Sequence, residues 1–180
     1  ISLYSLSWLK GGRMQGNKLE FKNGAIWFIS CWDTDLLKKI ISNIQRKPEI
    51  AFGFKVNEVL IKETPDFSNQ ELFFFNSPVL IKRYKDNRSK FYLYNDIESG
   101  KLLTETLKHK MDIAGLSDSN LEIAFDSTYI KPKTKLVTYN RIKIKGSICP
   151  VIIKGSPETK AFAWNVGLGN STGTGFGALI

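Results

Sequence analysis

Histidine occurs once in the 180 residues, cysteine and methionine twice each, and proline six times. One histidine and two distant cysteines, Cys31 and Cys149, cannot fill a tetrahedral zinc site or build a disulfide framework. The acids are scattered, and the close pair Asp33 and Asp35 reads more simply as helix-cap residues. No metal and no other cofactor is therefore expected. No apolar run approaches the roughly 20 residues of a membrane span. Residues 1–30 lack the basic start, apolar centre and small-residue cleavage site of a signal peptide. With so few cysteines, these absences point to a reducing cytoplasm and to no membrane partner.

Acids are also outnumbered. Lys and Arg total 26 against 17 Asp and Glu, for a net charge of +9. That surplus favours a polyanionic partner such as nucleic acid or an anionic membrane; a basic surface with no such partner is the alternative, and charge alone does not decide between them. An apolar fraction of 42% is enough to bury a core, which argues against disorder. The chain opens on Ile1 within what reads as a strand, Ile1-Ser2-Leu3-Tyr4-Ser5-Leu6. The expectation is a fragment, or a chain whose start has been removed.

The apolar pattern predicts two units. In the first, residues 1–9 and 18–32 are strand-like, with Asn23-Gly24 as a hairpin turn signal and Lys10-Gly11-Gly12-Arg13 as a flexible basic loop. A helix follows, capped at Asp33–Asp35, with Leu36, Leu37, Ile40, Ile41 and Ile44 on one face and Pro48 as its stop. Residues 50–63 return to strand, and Thr64 to Asn69 form a linker or turn. In the second unit, residues 71–84 and 90–94 are strand-like. A helix over about 97–114 carries the stripe Leu103, Leu107, Met111 and Ala114, with Asp96 as its cap. Strands are predicted near 121–130, 135–145, 148–154 and 160–166. This order lacks the alternation of a doubly wound sheet. It predicts an α+β fold of two tandem ferredoxin-like (RRM-like) domains. The first, residues 1–68, is incomplete, without its opening strand and helix; the second is residues 69–180.

The C-terminal run Gly167-Leu168-Gly169-Asn170-Ser171-Thr172-Gly173-Thr174-Gly175-Phe176-Gly177 holds five glycines in eleven residues. Glycine permits positive φ and close approach of backbone to a ligand. Consecutive exposed amides then suit phosphate oxygens, with Asn170, Ser171, Thr172 and Thr174 as neutral donors. No Gly-Lys-Ser/Thr closes the run as a P-loop would. The spacing also misses the Rossmann fingerprint, which needs a helix and an acid further on. A flexible tail is the bland alternative. It is weakened by Phe162 and Trp164 before the run and Phe176, Leu179 and Ile180 after it, which should anchor it to the core. Composition leaves phosphate binding and a ligand-free segment both open.

The stretch 131–145 carries Lys131, Lys133, Lys135, Arg141, Lys143 and Lys145 with no acid. Strand alternation puts Lys131, Lys133 and Lys135 on one face, and Arg141, Lys143 and Lys145 on one face of the next run, with Ile142 and Ile144 turned toward a core. A hairpin turning near Thr138-Tyr139-Asn140 would merge both rows into one basic surface, with Tyr139 at its tip to stack on a base. His109 falls off the helix's apolar stripe beside Lys108 and Lys110, and reads as a solvated position.

Asn165 to Gly169, then Asn170-Ser171, then Gly173-Thr174-Gly175-Phe176-Gly177 resemble the C-terminal Gly-rich motif of the CRISPR repeat-processing endoribonucleases of the RAMP superfamily. In order along the chain, Leu3-Tyr4-Ser5, Ser77-Pro78-Val79 and the basic hairpin around Lys131-Pro132-Lys133 resemble further family segments. The resemblance implies two tandem ferredoxin-like domains and CRISPR repeat RNA as partner. It also implies metal-independent cleavage by the ribose 2′-hydroxyl, leaving a 2′,3′-cyclic phosphate and a 5′-hydroxyl. The RNA-binding residues implied or read from the chain are Lys131, Lys133, Lys135, Tyr139, Arg141, Lys143, Lys145, Gly167, Gly169, Asn170, Ser171, Gly173, Gly175 and Gly177. In the family the acid–base group precedes the aromatic-Ser strand, so no catalytic residue carries over, and those residues are expected upstream of Ile1. The alternative within the superfamily is a non-catalytic RNA-binding subunit of a CRISPR effector complex.

Overall fold

The computed structural model describes residues 1–51, 53–85, 88–139 and 141–180, with the side chains of Lys85 and Tyr139 left aside. The fold is α+β, with three α-helices and small antiparallel sheets among the described residues. In the N-terminal part β1 (Tyr4–Leu6) pairs antiparallel with β4 (Ile29–Cys31). Between them β2 (Arg13–Gln15) and β3 (Lys18–Glu20) form a short hairpin. That hairpin turns through Gly16 at φ 60°. Asn23-Gly24 makes a separate turn, closed by the Gly24 amide on the Phe21 carbonyl at 3.2 Å. The strand-like run 18–32 thus divides at the expected Asn23-Gly24 turn into β3 and β4, which pair with β2 and β1 rather than with each other. The Lys10–Arg13 loop is tied at one end, where Lys10 bridges Ile26.

Helix α1 (Thr34–Arg46) starts where Asp33 Oδ1 accepts the Asp35 and Leu36 amides at 2.9 and 3.1 Å, satisfying donors that a helix start leaves free. It ends at Lys47, ahead of Pro48. Residues 50–63 do not form the predicted strand; Lys55 bridges Glu49, and the other described residues of the stretch belong to no strand. Val59, Leu60 and Ile61 have the β-branched, apolar character of a strand, but propensity alone makes none without an edge to pair with.

The second part carries the core. β5 (Leu72–Phe73) lies beside β11 (Val151–Lys154), which pairs on its other edge with β8 (Glu122–Phe125). The chain's end adds to the free edge of β5: Phe75 bridges Leu179, and the Ile180 amide donates to the Phe74 carbonyl at 3.0 Å. β6 (Ile81–Lys85) and β7 (Arg88–Tyr92) form a hairpin, as do β9 (Lys133–Tyr139) and β10 (Ile142–Ile148). Helix α2 (Ser99–Ile113) buries Leu103, Leu107 and Met111 as predicted. Asp96 does not cap it: its carboxylate instead accepts the Leu93 amide, and no side chain caps the helix start at Glu98.

The largest correction is at residues 160–166, predicted as a strand. They belong to helix α3 (Pro157–Val166). Ser156 caps it by accepting the Thr159 amide at 3.1 Å, and Pro157 opens the first turn, where its missing N–H costs nothing. The helix is wrapped on nearly every side: Thr159, Lys160, Phe162, Ala163, Trp164, Asn165 and Val166 are all buried. No 3.6-residue stripe survives, and the alternating Phe162 and Trp164 imitate a strand. Those aromatics receive the N-terminal part edge-on, Phe28 on Trp164 at 5.2 Å and Trp32 on Phe162 at 5.0 Å.

Asp118 secures the start of α3, accepting the Ser156 amide at 2.8 Å and the Thr159 hydroxyl at 2.7 Å. These donors, the Ser156 amide foremost, hold its carboxyl below the usual range. Replacing the cap, Ser156→Ala, should cost about 1 kcal/mol of stability, measured as a shift in the denaturant midpoint with the slope unchanged. No shift would mean that Asp118 alone holds the helix start.

Candidate nucleic-acid interface

Helix α3 runs directly into the Gly-rich segment. Its last turn ends at Gly167, whose φ of 68° suits glycine and would strain most other residues. The close approach that the glycines permit is to the protein's own chain. A side chain at Gly169 would run into the Leu80 carbonyl, and one at Gly177 into the Leu168 carbonyl. At Gly173 it would meet Ser2 Oγ at 2.7 Å and the Tyr4 ring at 2.9 Å. The amides of Gly167, Leu168, Asn170, Thr174, Gly175 and Gly177 all donate to backbone carbonyls. The segment is thus an ordered, mostly buried loop laid between β6 and β1, with Ser171 and Thr174 exposed at its surface.

Two side chains pin it. Asn170 clasps β6, its amide donating to the Leu80 carbonyl and its Oδ1 accepting the Lys82 amide, each at 2.7 Å. Thr172, in a 3-10 turn over Thr172–Thr174, is buried; its hydroxyl donates to the Tyr4 carbonyl at 2.9 Å. That hydroxyl is therefore occupied, and Thr172 is not the free donor expected of it.

The residue that sequence reading missed is Lys110. It leaves α2 on the apolar side, only 4% exposed, and its Nζ donates to the Val166 and Gly167 carbonyls at 3.0 and 3.1 Å and to Thr172 Oγ1 at 3.1 Å. The first two oxygens are the end of α3, where helix carbonyls lack partners and carry partial negative charge. Burial pushes the Lys110 ammonium down to about 7. A signal was present: Lys110 lies seven residues after Leu103 and three after Leu107, positions that fall on one helix face. His109, one residue earlier, is exposed, as expected. Among the described residues, no three His, Cys, Asp or Glu side chains gather as metal ligands.

The basic hairpin exists, but its rows do not merge. The register pairs Lys135 with Gly146 and Ile144 with Val137, while Lys145 pairs with Leu136 and Lys143 with Thr138. Residues directly opposite share a face, so odd positions of β9 sit with even positions of β10. Lys133 and Lys135 therefore share one face with Ile142 and Ile144, and Lys143 and Lys145 lie on the other. All four lysines are exposed, and so are Lys131 and Arg141; Arg141 sits at the turn with φ 64°. Ile142 is 61% exposed rather than turned to a core, and Ile144 is half-buried. The Tyr139 side chain, and all of Asn140, lie outside the described residues. The Lys133–Lys135 face adjoins the Gly-rich loop: Lys135 Nζ stands 6.0 Å from the centre of the Trp8 ring, and Trp8 is the neighbour that a side chain at Gly175 would touch at 3.4 Å. The structure thus gathers Gly173, Gly175 and Lys135 around Tyr4 and Trp8, and leaves Lys143 and Lys145 facing away.

The family model of CRISPR associated protein Cas6, C-terminal, matches residues 61–179. The chain belongs to the Cas6 family. The matched span includes the Gly-rich loop, the basic hairpin and Lys110. Among curated proteins, this Cas6-family chain is similar to the "Putative CRISPR-associated endoribonuclease-like protein Cas6nc" of Pyrococcus horikoshii. The two are 22% identical over 160 residues, covering 84% of this chain and 66% of that protein. A Cas6 counterpart from Pyrococcus furiosus is 23% identical over the same shares. The chain spans about two thirds of the length of these curated relatives. Its fold is similar to a solved structure described as "CRISPR associated protein Cas6", with TM-score 0.82 and 17% identity over 99% of this chain and 78% of the other. It is also similar to one described as "An RAMP protein binding different RNA substrates", with TM-score 0.78 and 21% identity over 99% and 78%.

The buried ammonium makes a prediction about stability. Below pH 7 Lys110 is charged both folded and unfolded, and folding carries the full cost of burying the charge. Between pH 7 and the ordinary lysine value of 10.5, the unfolded chain holds a proton that the folded one has released, so stability rises with pH. The melting temperature of the parent, relative to Lys110→Met, should therefore climb from about pH 7 to about pH 9. A constant difference would show that Lys110 keeps its proton when folded.

Proposed function

We propose that the intact protein is an endoribonuclease that cuts CRISPR precursor transcripts within their repeats, and that this chain is mainly its RNA-binding part. The observation that carries the reading is the meeting of an exposed cationic ribbon face, Lys133 and Lys135, with the rim of the Gly-rich loop at Trp8, in a chain of the Cas6 family. Cations on the ribbon would neutralise phosphates. Ser171 and Thr174 at the loop surface would supply neutral donors, and Tyr4 and Trp8 lie where bases could stack. In this reading cleavage needs no metal and leaves a 2′,3′-cyclic phosphate and a 5′-hydroxyl, the ribose 2′-hydroxyl being the attacking group. None of the 180 residues is assigned the acid–base role.

The reading includes two ferredoxin-like units, residues 1–68, incomplete, and residues 69–180. The path of the second unit supports it. With the hairpins β6–β7 and β9–β10 set aside as insertions, β5, α2, β8, β11, α3 and the terminal segment come in that order, and the terminal segment, β5, β11 and β8 lie side by side. That is a strand–helix–strand–strand–helix–strand order with the first and third strands central.

The test uses the full-length protein and repeat RNA from its own CRISPR locus. Cleavage should persist in chelator and yield cyclic-phosphate ends; dependence on magnesium would sink the mechanism. Binding without any cleavage would favour the non-catalytic subunit instead. The double change Lys133→Ala/Lys135→Ala should lower the slope of log affinity against log salt by about 1.4, roughly 0.7 for each single-strand phosphate no longer neutralised. Lys143→Ala/Lys145→Ala should change it less. The reverse order would place the RNA on the other face of the ribbon.

A further inference from the structure

We infer that Lys110 is a positioning residue for RNA binding: from the protein interior it clamps the Gly-rich loop against β1 and so sets the surface that the loop presents. The inference rests on the RNA-binding reading above and adds a residue that cannot itself touch RNA. Lys110 is 4% exposed, and in its charged form the three N–H bonds are matched by three oxygens, on Val166, Gly167 and Thr172. Capping the end of α3 requires only the first two. The third bond reaches into the 3-10 turn, and Thr172 passes the connection on to the Tyr4 carbonyl. One side chain therefore links α2, the end of α3, the Gly-rich loop and β1.

The linkage bears on the surface because of what flanks Thr172. Ser171 before it and Thr174 after it are the exposed residues of the loop, and Gly173 lies against Ser2 and the Tyr4 ring. If Thr172 is released, the exposed residues lose their fixed relation to Tyr4. A buried ammonium is costly, and an apolar side chain would fill the same space more cheaply. Packing alone therefore gives no reason for a charge here, whereas three matched acceptors and a relay to a second element do.

Thr172→Val keeps the shape and removes the hydroxyl, while Thr172→Ser keeps the hydroxyl. A role in packing alone would favour Val, and the clamp requires Ser. In the full-length protein, Thr172→Val should weaken binding of single-stranded repeat RNA by about tenfold, the scale of one or two buried hydrogen bonds. Thr172→Ser should stay within about threefold of the parent. The salt dependence of binding should be unchanged in Thr172→Val, because every cation that meets a phosphate is still present. If Lys110→Met folds, it should behave as Thr172→Val does, and the double variant should be no weaker than either single one. Binding by Thr172→Val within threefold of the parent, or a weakening by Thr172→Ser as large as by Thr172→Val, would overturn the clamp. If the parent itself binds no repeat RNA, the RNA-binding reading fails. The clamp is then decided by hydrogen exchange: faster exchange at residues 171–175 in Thr172→Val than in Thr172→Ser upholds it, and equal exchange removes it.

Discussion

A lysine side chain that never reaches water organises the centre of this molecule. The Lys110 ammonium meets the carbonyl end of α3 where the helix can no longer satisfy its own acceptors, and the same atom holds the turn that follows. Further contacts that shape the Gly-rich loop follow along the chain. Gly167 turns the chain out of the helix, Asn170 fastens it to β6, and Thr172 fastens it to β1. Electrostatics and backbone accounting are one argument here: the helix end has unpaired carbonyls, and the ammonium has donors with no water to receive them.

The glycines acquire a different meaning in that setting. Their composition suggests a bare backbone open to a ligand. In the fold, Gly169 and Gly177 lie against the carbonyls of Leu80 and Leu168, and Gly173 lies against Tyr4. Absence of side chains lets the loop pack into the body, and the residues between the glycines carry what surface it has. A Gly-rich segment can thus be both rigid and accessible, rigid at the glycines and accessible at Ser171 and Thr174.

Much of the fold was legible in the sequence, for reasons that also explain what was not. Helix α2 could be read because only one side of it is buried, which leaves a stripe at Leu103, Leu107 and Met111. Helix α3 could not, because burial on nearly all sides erases the stripe; the readable trace was local, Ser156-Pro157-Glu158, a cap followed by proline and an acid. Lys110 hid because a cation in an apolar stripe looks like an interruption of the face rather than part of it. The basic hairpin was found, but its faces were not, since which residues stand opposite depends on the number of residues in the turn. Strand 50–63 failed for lack of a partner, which no local pattern records.

The register of the ribbon bears on how it would meet a polyanion. Lys133, Lys135, Lys143 and Lys145 stand opposite Ile148, Gly146, Thr138 and Leu136, so none faces another cation directly. The repulsion expected of so many like charges is therefore spread over two faces, and the free ribbon needs no bound anion to keep its shape. Cations already fixed on a paired backbone lose less freedom on contact than cations on a loose loop, so less of the attraction is consumed in ordering them. In kinetic terms, the ribbon would be a landing site ready at first encounter, with any folding on binding left to the RNA.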